Sequence, residues 1–136
     1  MASSVLVDSG FLVALLTDRD ANHAWAAAEA SRQPPAWITC EAVLSEAFHL
    51  LGSGGFPVLT ELLTMRALAC DFDAAEHIDD VLKLMTKYQN VPMAFADACL
   101  LRMTEILPSP LLLTTDTDFR IYRRHGRQAV PCVLPR

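Results

Sequence analysis

Leu111-Leu112-Leu113-Thr114-Thr115-Asp116-Thr117-Asp118-Phe119-Arg120-Ile121-Tyr122-Arg123-Arg124 is the stretch that decides the fold of this 136-residue chain. Three leucines followed abruptly by hydroxyl and carboxylate side chains describe a short strand, buried on both faces, that runs out of apolar residues where it meets a polar cleft. Such a strand delivers Asp116 and Asp118 to its carboxyl end. Two readings compete for that pair. Asp and Thr are ordinary turn residues, and either aspartate can N-cap a helix beginning near Phe119. Alternatively, two carboxylates this close repel each other, and a hard divalent cation stabilises them.

Working outward, the same design recurs at the start of the chain. Ser4 to Val7 is a short β-branched run ending at Asp8, with Ser9-Gly10 as the turn behind it. Phe11 to Leu16 and about His23 to Arg32 read as helices, and Pro34-Pro35 stops the second. Ala36 to Thr39 is a second short strand. From Glu41 to Leu51 apolar residues recur at helical spacing, with Glu46 set among them; Gly52 to Gly55 ends that helix and Pro57 opens the next. Cys70 to Phe72 reads as a further strand, and Asp73-Ala74-Ala75-Glu76 as a capping box for a helix to about Tyr88. Asn90-Val91-Pro92 restarts a helix through Ala94 to Ile106, on which Asp97 is a carboxylate among apolar neighbours. Phe119 to Arg124 reads as a short basic helix, and Ala129 to Leu134 as a last strand, at an edge because of Pro131. Short apolar strands alternating with helices predict one α/β domain over residues 1–136 with a central parallel sheet of four to five strands flanked by helices.

Composition narrows the function. Hydrophobic residues make up 52% of the chain, but charges interrupt every apolar run before the length a membrane span needs. The N-terminus has no basic region ahead of its apolar stretch, so a signal peptide is not expected and a cytoplasmic location is. The four cysteines lack metal or redox spacing and read as reduced core residues. Eleven Lys plus Arg against sixteen Asp plus Glu argue against holding nucleic acid by bulk charge, leaving only local basic contacts.

Carboxylates thus oppose the apolar trend at Asp8, Glu46, Asp97 and the Asp116/Asp118 pair. In an open parallel sheet ligands gather at the carboxyl ends of the strands, so Asp8 and Asp116 share a cleft if their strands are neighbours. An all-oxygen set favours Mg²⁺ or Mn²⁺ over zinc, and such sites commonly hydrolyse phosphodiesters. Taken singly, each acid also has a plain structural reading as a turn residue, a solvated charge or a cap.

VLVDSGFLVALL, ITCEAVLSEAFHLL, VPMAFADACLLRMTE and LLLTTDTDFRIYRRHG, in this order and over nearly the whole chain, resemble the PIN domain, and within it the VapC-type ribonuclease toxins. The resemblance implies a PIN-like three-layer sandwich and a metal-dependent endoribonuclease. It places Asp8, Glu46 (rather than Glu41), Asp97 and Asp116 as the four catalytic, metal-holding acids, with Asp118 as a frequently acidic neighbour. Ser9 and Thr115 fall where the family carries small hydroxyls that orient an acid or a metal-bound water. It further implies an RNA substrate, a cognate antitoxin protein and a homodimer.

One position departs from the family: Ala94 stands where close relatives often carry an acid, three residues before Asp97 and on the same helix face. A catalytically silent PIN-like binding module is therefore the alternative. Arg120, Arg123 and Arg124, around Tyr122, read either as contacts to the RNA backbone or as a solvated helix face offsetting the nearby aspartates. A receiver-like phosphotransfer domain would need a lysine near the last strand, and QAVPCVLPR has none.

Overall fold

The computed structural model describes residues 3–136, and its centre is β1 (Ser4–Val7), buried at all four positions. Around it the main sheet runs β3 (Leu68–Cys70), β2 (Trp37–Thr39), β1, β4 (Pro110–Leu113), β7 (Cys132–Val133), every neighbouring pair parallel. Leu6, Val7, Leu112 and Leu113 are fully buried, which is why these strands are continuous apolar runs rather than alternating ones.

The chain steps outward from β1 to β2 and β3, then returns past β1 to β4 and β7. The first steps use α1 (Ser9–Leu16), α2 (His23–Arg32) and α3 (Glu41–Thr64); the return uses α4 (Ile78–Lys87) and α5 (Phe95–Ile106). Right-handed crossovers that reverse direction put the two helix groups on opposite faces, giving three layers. The reversal creates a switch point between β1 and β4. Their register pairs Val7 with Leu113, and the Asp8 amide donates to the Leu113 carbonyl at 3.1 Å, so Asp8 and Thr114 leave the sheet side by side.

Several local expectations shift. α1 begins at Ser9 because Asp8 itself is the cap, its carboxylate accepting from the Ser9 amide. α3 runs through to Thr64 but breaks at Gly52 (φ 62°, ψ −158°), a backbone conformation that glycine tolerates, with Pro57 one turn past the kink. It is the one described helix with the length and composition to cross a membrane (mean hydropathy 1.2), yet it is kinked midway and packs on α1, α5 and β3. β3 lies two residues earlier than expected. Asp73 caps only a turn, accepting from the Ala75 amide at 3.0 Å, and α4 starts at Ile78.

Phe119 to Arg124 is not a helix. A single 3-10 turn, Thr117–Arg120, is followed by β5 (Arg123–Arg124), which pairs antiparallel with β6 (Gln128–Ala129). The hairpin turns on His125 (φ 52°) and Gly126 (φ 79°), the two consecutive positive φ angles of a type I′ turn, and a helix cannot pass through them. The last strand accordingly splits at Val130-Pro131 into β6 and the edge strand β7. Cys40 and Cys99 are buried as expected of core thiols, Cys132 is half-buried, and Cys70 is exposed, a correction to its reading as core.

Candidate active site

Asp8, Glu46, Asp97 and Asp116 line one cavity of about 260 Å³ at the carboxyl ends of β1 and β4, together with Ser9, Thr115, Asp20 and Asn22. β1 delivers Asp8, β4 delivers Asp116, and the helices α3 and α5 carry Glu46 and Asp97 to the same opening. Glu41 lines different cavities, toward β3.

Asp8 is 5% exposed and held by three donors. Its Oδ1 accepts from the Ser9 amide at 2.7 Å and from Ser9 Oγ at 3.4 Å, and its Oδ2 accepts from Thr114 Oγ1 at 2.8 Å. Thr114, fully buried, also accepts from the Asp116 amide at 3.0 Å, so one hydroxyl ties the two strand-end acids together. The hydroxyl that orients Asp8 from β4 is thus Thr114 rather than Thr115. Thr115 lines the cavity wall, against Gly10, where a β-carbon would run into its Oγ1. The single Ser9 hydroxyl proton is shared between Asp8 Oδ1 and Glu46 Oε1, which tethers a glutamate that is otherwise solvent-exposed.

Asp116 is both a cap and a cleft residue: its Oδ1 accepts from the Asp118 amide at 2.9 Å while its side chain lines the cavity. Asp118 does not line it. On α5, Asp97 Oδ2 accepts from Tyr122 Oη at 3.4 Å. Ala94 is the N-cap of α5, exposed and outside the cavity.

Electrostatics set this cavity apart. Its lining carries five carboxylates, Asp8, Asp20, Glu46, Asp97 and Asp116, and no Lys, Arg or His. Burial, opposed by its donors and reinforced by Asp116 and Glu46, raises the Asp8 carboxyl above its usual range. Burial first, then the charges of Asp8 and Asp116, push Asp97 up to about 8. Burial beside Asp97 raises the Tyr122 hydroxyl too, so it stays a donor.

A hard cation fits this donor set, being all oxygen, crowded with negative charge and free of compensating bases. Among the described residues no three acid, His or Cys side chains form a ready metal cage.

The three arginines lie elsewhere. Arg123 Nη1 donates to the carbonyls of Arg120, Ile121 and Tyr122, and Arg124 donates through Nε and Nη2 to the Thr104 carbonyl near the end of α5. Arg120 is exposed, and its guanidinium makes no hydrogen bond or ion pair among the described residues. None of them lines the acid cavity. Asp20, Asn22, Thr114 and Tyr122 were not singled out from the sequence as site residues. For Thr114 the available signal is local turn chemistry, a threonine hydroxyl accepting from the backbone amide two residues on, at Asp116.

A protein-family model described as the PIN domain matches residues 5–124. Among solved structures, the crystal structure of VapC20 from Mycobacterium tuberculosis, a toxin that cleaves the sarcin-ricin loop, is similar in fold. The TM-score is 0.67 with 21% identity, over 80% of this chain and 87% of that one. No curated protein sequence matches.

Proposed function

The chain belongs to the PIN-domain family, and from that premise we propose that it is a metal-dependent endoribonuclease of the VapC toxin type, hydrolysing RNA phosphodiester bonds at the β1/β4 cleft. The observation that carries the reading is the convergence of Asp8, Glu46, Asp97 and Asp116 on one cavity without a single basic side chain. Asp8, Asp97 and Asp116 would hold Mg²⁺ or Mn²⁺, with Glu46 at the rim. Such an ion, when bound, supplies an activated water and neutralises phosphate charge.

The residues of the chain do the rest. Ser9 and Thr114 fix both oxygens of Asp8, so this buried acid offers its remaining lone pairs in one direction. Glu46, exposed and oriented by Ser9, is placed to accept a proton from a water at the cleft mouth. Asn22, on the same wall, offers a neutral donor where carboxylates would repel the RNA phosphate. Among the described residues Arg19, beside Asp20, and Arg120, four residues past Asp116, are cations near the cleft in sequence that make no hydrogen bond or ion pair. In the same reading the protein works in the cytoplasm, is held inactive by a cognate antitoxin, and dimerises through the exposed apolar residues Leu50, Phe56 and Val58 of α3 and Met65 just past its end.

The test is cleavage of a mixed RNA pool by the purified protein with Mn²⁺, with EDTA, and with Asp97→Asn at matched folded concentration. Cleavage only with metal, and lost in the variant, is expected. No cleavage by a folded, metal-supplied protein would turn the assignment to a silent binding module and make Ala94→Asp the next variant.

A further inference from the structure

Tyr122 sits between two arginines in the sequence, yet its side chain is fully buried. Its ring is wedged edge-on between Phe119, at 5.1 Å between centroids, and Tyr88, at 5.0 Å. Tyr88 in turn accepts the Arg123 amide on its own hydroxyl at 2.9 Å, which anchors the segment beyond the 3-10 turn to the C-terminal end of α4. The two tyrosines therefore have different errands: the Tyr88 hydroxyl holds backbone, whereas the Tyr122 hydroxyl reaches Asp97 Oδ2.

We propose that Tyr122 is a positioning residue for Asp97, a hydroxyl donor mounted on a rigid aromatic wedge that fixes which way the carboxylate presents its oxygens to a cation in the cleft. The inference rests on the metal-site reading above. Its physical basis is that Tyr122 is the one side-chain donor to Asp97 among the described residues, while Asp8 has Ser9 and Thr114. A fully buried hydroxyl has no water to turn to, so the bond to Asp97 is its one use. Carboxylates that hold metals depend on such outer partners, whose loss commonly weakens binding about 10–100-fold.

The experiment is titration of the full chain with Mn²⁺ alone, reading free ion by electron paramagnetic resonance, alongside thermal melting of every variant. Tyr122→Phe keeps the wedge and removes only the hydroxyl; Tyr88→Phe does the same one ring away. Expected are roughly 10-fold weaker Mn²⁺ binding in Tyr122→Phe and binding within about twofold of the parent in Tyr88→Phe. In an Asp97→Asn background, Tyr122→Phe should cause no further loss, because its route is through that carboxylate. Unchanged binding in Tyr122→Phe, equal losses in both tyrosine variants, or an equal further loss in the Asp97→Asn background would overturn the proposal and leave the metal site standing. Absence of Mn²⁺ binding by the folded parent would overturn both.

Discussion

Two acidic clusters lie at carboxyl ends of strands in this sheet, and only the inner one draws its acids from two neighbouring strand ends and two helices. At the switch point, Asp8 and Asp116 leave neighbouring strands and meet Asp97 and Glu46 in a cavity of about 260 Å³. At the edge, past β3, Glu41, Asp71, Asp73 and Glu76 line a larger one of about 530 Å³. The second has four carboxylates against five, and they are denser in sequence. Its acids, however, are all exposed, Asp73 is occupied with capping a turn, and His77 shares the wall, stacked on Phe72 and accepting from Arg102. Solvent satisfies those carboxylates where they stand. Asp8, Asp97 and Asp116 of the inner cluster are partly or wholly withdrawn from solvent, and their charge crowding is the observation behind the cation site proposed above.

The sharpest way to break the comparison is to remove one charge from each cluster. Asp8→Asn keeps one oxygen to cap α1 and sets its amide nitrogen against Thr114, whose hydroxyl oxygen then accepts instead of donating, so the fold is expected to survive. Losing an outer partner of a metal ligand already costs about 10–100-fold, and losing the ligand itself should reduce metal-dependent RNA cleavage by more than that range. Asp71→Asn should leave cleavage within about twofold. Comparable losses in the two variants, measured as initial rates on one RNA, would erase the distinction.

How much of this was legible in the sequence follows from what is local. The apolar runs of β1 and β4, each ending in an acid, state their own burial, so Asp8 and Asp116 could be read directly, as could α5 and the glycine break at Gly52. Strand order could not be. The adjacency of β1 and β4 is a long-range pairing fixed by the return crossover, and the convergence of Asp8 with Asp116 depends on it. The 119–124 segment misled because charge spacing looks helical, whereas its course is set by the burial of Tyr122 and by the His125-Gly126 turn. Thr114 and Thr115 are indistinguishable by type; only the turn that the chain makes past β4 separates the one that bridges two acids from the one on the wall. Asp20 had no signal at all, being a loop residue that folding brings to the cavity.

A smaller effect sharpens the contrast through pH. Asp97 is raised from 3.8 to about 8, with Asp8 shifted the same way, so the metal-free native state holds protons that the unfolded chain releases. For an acid with a raised pKa, the stabilisation is complete below about 3.8 and is lost as pH climbs through about 8. Urea unfolding without metal should therefore show stability falling across that window, and Asp97→Asn should flatten the fall. Saturating Mn²⁺ should stabilise the parent most at the alkaline end, because the ligands bind the ion deprotonated. An equal slope in parent and variant would mean that Asp97 is not the strained acid.

The least expected change concerns the arginines, and it separates a basic stretch that holds RNA from one that holds the fold. Arg124 spends its guanidinium on the Thr104 carbonyl and on Gln128, closing α5 against the β5–β6 hairpin, and Arg123 closes the 3-10 turn in the same manner. A cation on the last carbonyls of a helix offsets its negative end, an effect of about 0.3–1 kcal/mol at a surface. Arg124→Ala should thus lower unfolding stability by about 1 kcal/mol, counting the hydrogen bonds lost, while RNA binding by the catalytically inactive Asp8→Asn protein stays within about twofold. Arg120→Ala should reverse the pattern, leaving stability alone and weakening RNA binding, most visibly at low salt where phosphate contacts count most. If Arg124→Ala instead weakened RNA binding with no loss of stability, the three arginines would belong with the cleft, and the division of this chain into a charged interior site and a merely solvated exterior would fail at the hairpin.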